Sequence, residues 1–395
     1  MDDQYAGPLL QLVPGARLAG PDEVPGLVDD AARKLGADGA VIYVVDHEQL
    51  VLRPVPGPTA GQETAVDTTV AGRAFRTTSF QQSVSGGVRR VWVPLLDGLE
   101  RLGALELRFP ADAEVPDDET LLQFEALVAD LVLTKGQYGD LFEVVRRRQP
   151  MSLATELTRQ ALPPLTFGTP QVVVTAVLTP AYDVGGDTFD YAVDGQTARV
   201  AIFDAMGHGL QAGLMSTVAV AAYRHSRRQG LDLEATASAI DLALGTQFGP
   251  ERFVTAVIAE LDLASGRLRW VLHGHPEPLL LRHDKVVKRL GGNTRPPLGL
   301  GVVPEVAEES LEPGDSVLLF TDGVVEARSA DGEFFGVDRL ADLVARESRG
   351  GNPPPETMRR LVQAILTHQA GDLQDDATTV MVGWRTRGAE RTRPM

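Results

Sequence analysis

Apolar residues along this chain fall into short β-type runs and longer helical stripes, and the arrangement of the two kinds changes partway along. From Asp22, Val28, Ala31, Ala32 and Leu35 recur at helical spacing and lead into Gly39-Ala-Val-Ile-Tyr-Val-Val45, a continuous run typical of a buried strand. A second run spans Leu50–Val55. After a Gly-, Pro- and Thr-rich loop come a short helix over Val70–Arg76 and two runs, Val91–Leu96 and Leu102–Arg108, joined through Asp97-Gly98 as an antiparallel hairpin. Over Asp117–Arg148, apolar residues at 121, 124, 128, 131, 138, 142 and 145 follow a seven-residue repeat broken at Lys135, the spacing of a coiled-coil seam. Gly136 and Gly139 each weaken that helix by about 1 kcal/mol relative to Ala. Leu153, Leu157 and Ala161 form one face of a second short helix, stopped by Pro163-Pro164.

From 171 onward, strands and helices alternate. Strands are predicted over 171–178, 198–203, 253–262, 267–273, 277–282, 316–320 and 377–383, and helices over 209–228, 233–246, 337–347 and 356–369. The tight Ala264-Ser-Gly266 connection favours antiparallel pairing, and two sheets covered by helices is the natural packing. The domains read as a lead-in over 1–20, a sensor-like domain over 21–135, a helical linker over 136–168, a large domain over 169–385 and a solvated tail over 386–395.

Composition narrows the function. A net charge of −17 argues against a nucleic-acid surface, which needs clustered Lys and Arg. Without cysteine there are no disulfides, thiolate metal sites or cysteine nucleophile. No apolar run reaches the ~18 residues of a membrane span and no secretion signal opens the chain, so the expectation is a cytoplasmic protein without membrane contact.

The candidate chemistry lies in acids placed at the ends of apolar runs: Asp187, Asp204, Asp322 and the pair Asp375-Asp376. The glycines at 185, 186, 207 and 209 leave room for close backbone approach. Buried carboxylates side by side cannot all stay ionised unless a cation neutralises them. Oxygen donors with no Cys and no paired His select Mg²⁺ or Mn²⁺ over zinc. Two such ions can activate a water and clamp a phosphate, so the reaction class is phosphomonoester hydrolysis. No P-loop, kinase glycine loop or Gly-x-Ser-x-Gly is present.

The motifs Asp183-x-Gly-Gly-Asp187-x-Phe-Asp190, Asp204-x-x-Gly-His-Gly209, Phe253-x-Thr255, Gly274-His275-Pro276, Pro297-Leu-Gly-Leu300, Thr321-Asp-Gly323-x-x-Glu326-Ala and Asp375-Asp-x-Thr378, in this order, resemble the SpoIIE/RsbU branch of the PPM (PP2C-type) serine/threonine protein phosphatases. The resemblance covers about 170–385. It implies an α+β fold, an αββα sandwich of two antiparallel sheets, with two Mn²⁺ or Mg²⁺ ions at one end. Asp204 would bridge both ions, with the Ala205 carbonyl as a further ligand. Asp187 would bind one ion, and Asp322 and Asp375 the other, with Asp376 the alternative to Asp375. The attacking group would be the bridging hydroxide.

His208 is read either as a general acid or as a hydrogen-bonding residue at the helix start, and His275 as a turn residue bonded to backbone. Glu326 is read as positioning the Asp322 turn, and Phe189 as filling the space of the aromatic that the family places at Thr188. The implied substrate is a phosphorylated STAS-domain protein, an anti-sigma-factor antagonist. A non-catalytic partner-binding scaffold and a hydrolase of small phosphoesters are the competing readings.

Residues 20–135 resemble a GAF domain, chiefly through Ala71-Gly-Arg-Ala-Phe75 and the closing hairpin. That implies either a small-molecule ligand or a module that dimerises or scaffolds. The heptad stripe is expected to make a homodimer through the linker helix or, alternatively, to pack on its own sheet.

Overall fold

The computed structural model describes residues 14–179, 182, 185–292, 295–301, 303–369 and 375–385. The chain divides into two units, Met1–Pro150 and Met151–Met395.

In the first unit, strands β1 (Gly39–Val45), β2 (Val51–Pro54), β3 (Thr64–Ala65), β4 (Gln81–Ser85), β5 (Val88–Asp97) and β6 (Glu100–Pro110) form one antiparallel sheet in the order β3-β2-β1-β6-β5-β4. Every residue of β1 is buried because both faces of the sheet are covered. Ala40, Ile42 and Val44 face α1 (Val24–Lys34) and α3 (Asp118–Gly136), while Val41, Tyr43 and Val45 face α2 (Val70–Thr77). Asp117 caps α3 by accepting from the Thr120 N–H at 2.8 Å.

The heptad stripe packs on the sheet of its own unit, the alternative to a seam between two chains. α3 stops at Gly136 and the chain restarts as the short α4 (Leu141–Arg146). Leu121, Phe124, Val128 and Phe142 are buried in the core beneath the sheet, with Leu131 and Val145 packed against it. Tyr138, in the break, is 79% exposed. The buried part of the stripe is thus used within the unit.

The second unit opens with α5 (Leu153–Ala161) and builds two antiparallel sheets. The first runs β15 (Ala307–Ser310), β12 (Arg267–His273), β11 (Val254–Asp262), β10 (Thr197–Ala205), β9 (Asp187–Asp194). The second runs β14 (Lys285–Arg289), β13 (Leu279–Arg282), β16 (Ser316–Phe320), β17 (Ala377–Trp384), β8 (Val172–Thr179), β7 (Thr166–Gly168).

Strand alternation sorts the side chains into three layers. Ala198, Val200 and Ile202 point between the sheets with Val174, Val380 and Trp270. Ala201 and Phe203 point outward under α6 (Leu210–Arg228) and α7 (Leu233–Phe248). Leu318 and Phe320 point outward under α9 (Val337–Arg349) and α10 (Pro354–His368), with the single-turn α8 (Asp322–Val325) at their end. The result is the expected αββα sandwich.

Candidate metal centre

The acids come together where strands of both sheets end. In the first sheet Asp204, near the end of β10, stands opposite Asp187 at the start of β9 and opposite Thr255 on β11. In the second, β16 and β17 pair antiparallel, so Asp322, just beyond β16, and Asp375-Asp376, just before β17, lie at the same edge. The approach is close: a Cβ on Gly323 would lie 1.9 Å from the Asp376 carbonyl oxygen.

The electrostatics record the meeting. Burial, then the charges of Asp322 and Asp375, push the Asp204 carboxyl up to about 7. Burial, then Asp204 and Asp376, raise Asp187 well above the usual carboxylate range. Asp322 is raised by burial, then by Asp375 and Glu326. The strongest influences on these acids are burial, other carboxylates, hydroxyls and backbone N–H groups, with no lysine or arginine among them. A structural ion-pair cluster would carry its own cations, whereas this one leaves its negative charge for something else to neutralise. Its donors are oxygens only, the set that suits a hard divalent ion, so the residues fit Mn²⁺ or Mg²⁺. As it stands the cluster is loose. Among the described residues, no group of three or more acid or histidine side chains is drawn tightly enough to enclose an ion.

The two adjacent acids have separate surroundings. Asp376 is buried, and its Oδ2 accepts the N–H groups of Gly185 at 2.6 Å, Gly186 at 2.7 Å and Asp187 at 3.2 Å. It therefore fixes the turn that presents Asp187. Asp375 is exposed and acts on Asp204 and Asp322. Ala205 is buried, and its carbonyl oxygen would lie 2.3 Å from a Cβ on Gly186, so only glycine fits there. The carbonyl of Gly186 in turn accepts a hydrogen bond from Ser216 of α6.

Two threonines that carry no candidate role in the sequence hold these acids. Thr321 donates to Asp187 Oδ2 at 2.7 Å and accepts the Thr378 N–H at 3.0 Å. Thr255 donates to Asp204 Oδ2 at 3.3 Å and shares a 2.8 Å hydrogen bond with His275 Nδ1. A signal for them exists, since Thr255 belongs to the motif Phe253-x-Thr255 and Thr321 to Thr321-Asp-Gly323. His275, expected as a turn residue bonded to backbone, is buried against Thr255. Burial pushes its imidazole down to about 3, with the Phe320 backbone as a weaker opposing influence, so the ring is neutral.

His208 is exposed, in the loop between Gly207 and Gly209, both at positive φ, and the Gly209 cap of α6 has no side-chain bond. Its Cα would lie 3.5 Å from a Cβ on Gly185, which places the loop against the Asp187 turn. Asp190, although part of the first motif, points away from this centre. Buried in β9, it pairs with Arg224 at 2.7 Å and Arg227 at 2.8 Å and so ties α6 to the strand. Phe189 is fully buried between the sheets, and Asp183 lies outside the described residues.

A two-sheet αββα sandwich with an uncompensated acid cluster at its strand ends defines the PP2C-like class. Residues 194–385, within the C-terminal unit, match the family described as Stage II sporulation protein E (SpoIIE). Among curated relatives, the phosphoserine phosphatase RsbP of Bacillus subtilis (strain 168) is 28% identical over 163 residues, 40% of this chain and 40% of RsbP. The phosphoserine phosphatase RsbU of the same organism is 23% identical over 212 residues, 52% of this chain and 62% of RsbU. The chain thus spans less than two thirds of the length of either relative. The SiaA-PP2C domain of Pseudomonas aeruginosa shares the fold, with a TM-score of 0.50 and 23% identity over 59% of this chain and 94% of that domain.

No helix among the described residues is long and apolar enough to cross a membrane.

Proposed function

We propose that this chain is a divalent-metal-dependent protein serine/threonine phosphatase. The observation that carries the reading is the convergence of Asp187, Asp204, Asp322 and Asp375, from four separate stretches, with no basic side chain among the main influences on Asp187, Asp204 and Asp322. Asp204, the Ala205 carbonyl and Asp187 would hold one Mn²⁺ or Mg²⁺ ion, and Asp204, Asp322 and Asp375 a second. When bound, such ions lower the pKa of water and neutralise phosphate charge.

The chain's own residues set the stage. Thr255 and Thr321 each engage one oxygen of Asp204 and Asp187 and so fix the orientation of both carboxylates. Asp376 holds the Gly185-Gly186-Asp187 turn in place. His208, exposed beside that turn, would in this reading give a proton to the departing serine or threonine oxygen.

The kinship with two proteins named phosphoserine phosphatases supports a phosphoserine protein as substrate. We assign the finer identity, a phosphorylated STAS-type anti-sigma-factor antagonist, on the family resemblance. The N-terminal unit is read as a GAF-like sensor that regulates this activity. The test is phosphate release from phosphorylated STAS proteins by the full chain in Mn²⁺. Release should stop with chelator and in Asp204→Ala. No release by the full chain in Mn²⁺ would remove the enzyme reading, release that survives both chelator and Asp204→Ala would remove the metal-dependent mechanism, and release from small phosphoesters in preference to protein would remove the substrate assignment.

A further inference from the structure

The N-terminal unit has an open cleft of about 410 Å³ on the α2 side of its sheet, lined by Tyr43, Gln62, Arg90, Trp92, Glu106 and Arg108 among others. Its floor is unusual for a sensor-like sheet. Glu106 sits in the middle of β6 and is 2% exposed, yet it faces this cleft. Its carboxylate takes Arg108 Nε at 3.0 Å and Nη2 at 2.9 Å, Arg90 Nε at 3.1 Å and the Tyr43 hydroxyl at 3.2 Å.

One buried carboxylate therefore orients two guanidinium groups side by side. Nη2 of Arg108 is also anchored to the Ala60 carbonyl at 2.8 Å. Among the described residues, Nη1 of Arg108 and both terminal nitrogens of Arg90 make no hydrogen bond. Glu63, the second acid of the lining, is matched from outside by Arg53 at 3.1 Å. Arg90 and Arg108 against Glu106 then leave the cleft with one positive charge not neutralised by the protein. Trp92 adds an aromatic wall, braced by Tyr43 at a ring separation of 5.3 Å.

We propose that this cleft binds a small aromatic oxyanion, its carboxylate or phosphate group taken by the Arg90–Arg108 pair and its ring laid against Trp92. Guanidinium forks match such groups bidentately, and an arginine already held by a buried acid loses little further freedom on binding. The binding claim stands whether or not the C-terminal unit is an enzyme.

The test uses the full chain in chelator, so that no probe is hydrolysed. Trp92 is the only tryptophan of its unit, the other two being Trp270 and Trp384, and its emission reports on the cleft. Benzoate, benzamide and benzamidine share a ring and differ in charge. Benzoate or phenyl phosphate should quench Trp92 saturably where the amide and the amidine do not, and whichever of the two binds tighter identifies the head group. In Arg90→Met the affinity should fall about 10-fold or more, the loss expected for a hydrogen bond to a charged group. That variant leaves Glu106 paired with Arg108 and Tyr43. Arg90→Lys, which keeps the charge and removes the fork, should also weaken binding. Equal binding of benzamide, no saturable response to either anion up to about 10 mM, or unchanged affinity in the two variants would overturn the proposal.

Discussion

Asp376 offers the sharpest test of how the acid cluster is built, because its neighbour Asp375 has the same chemistry in different surroundings. Asp376→Ala removes the oxygen that receives three backbone N–H groups, those of Gly185, Gly186 and Asp187, at a buried site. A buried donor left without a partner costs about 1–3 kcal/mol. The three belong to one turn and do not add fully, so the loss should be about 3–5 kcal/mol. For a unit of this size that lowers the melting temperature by roughly 6–20 °C.

Asp376→Asn keeps an acceptor oxygen and removes a charge that raises Asp187, so it should melt within about 1 kcal/mol of the parent. The assay is thermal unfolding in excess chelator, followed through Trp270 and Trp384, both buried in the C-terminal unit. Asp375→Asn should leave that melting unchanged or raise it, because it relieves repulsion on Asp204 and Asp322, while weakening Mn²⁺ binding. An asparagine at 376 as damaging as alanine, or an alanine without effect, would refute the view that Asp376 is the post of the Gly-Gly-Asp turn.

Other consequences are as direct. The folded Asp204 carboxyl titrates at about 7 against 3.8 for the free group, so between these values the folded chain holds the extra proton. Asp187, Asp322 and Asp376 shift in the same direction. Stability in chelator should therefore fall as pH rises from about 4 through 7. A melting series across that range should show the decline, and Asp204→Asn should flatten it. Gly186→Ala would set a Cβ 2.3 Å from the Ala205 carbonyl oxygen. The forced separation of β9 from β10 should cost about 1–3 kcal/mol and reduce Mn²⁺ affinity, measurable by unfolding and by metal titration. Leu121→Ala and Phe124→Ala should each destabilise the N-terminal unit by about 2–5 kcal/mol, read by denaturant unfolding followed through Trp92. A coiled-coil seam would instead respond with a change in sedimentation and unaltered unfolding of that unit.

Much of the large sandwich was legible in the sequence because its central strands are continuous apolar runs. β8, β10, β11, β12, β16 and β17 fall within a residue or two of the predicted ranges. The strands that escaped lie at sheet margins. β14, Lys-Val-Val-Lys-Arg, is largely exposed, and β15, Ala-Glu-Glu-Ser, is half acidic, so neither carries the pattern of a buried run. β9 escaped for another reason. Its first four residues are all buried, yet Asp187 and Asp190 make them look like a loop. Polar residues in a buried strand appear only where a partner meets them, here Arg224 and Arg227 for Asp190, three apart on one face of α6.

The acids were legible as strand-end residues. Their supports, the hydroxyls of Thr255 and Thr321, were visible as motif members but not as partners of Asp204 and Asp187, because those pairs are 51 and 134 residues apart in the chain. The heptad stripe was misleading because periodicity reports that a helix face is apolar and not what covers it. Here the sheet of its own unit does so.

Titration of Mn²⁺ into the full chain near pH 7 tests the central claim most directly, with protons counted as the metal binds. Carboxyls raised by burial and by one another, Asp204 up to about 7, must give up protons when a cation binds among them. The predicted result is binding of two ions with net proton release that grows as pH is lowered from about 8 to 6, both lost in Asp204→Ala. Binding without proton release, or binding that survives in Asp204→Ala, would contradict the assignment of this acid cluster as a divalent-metal centre.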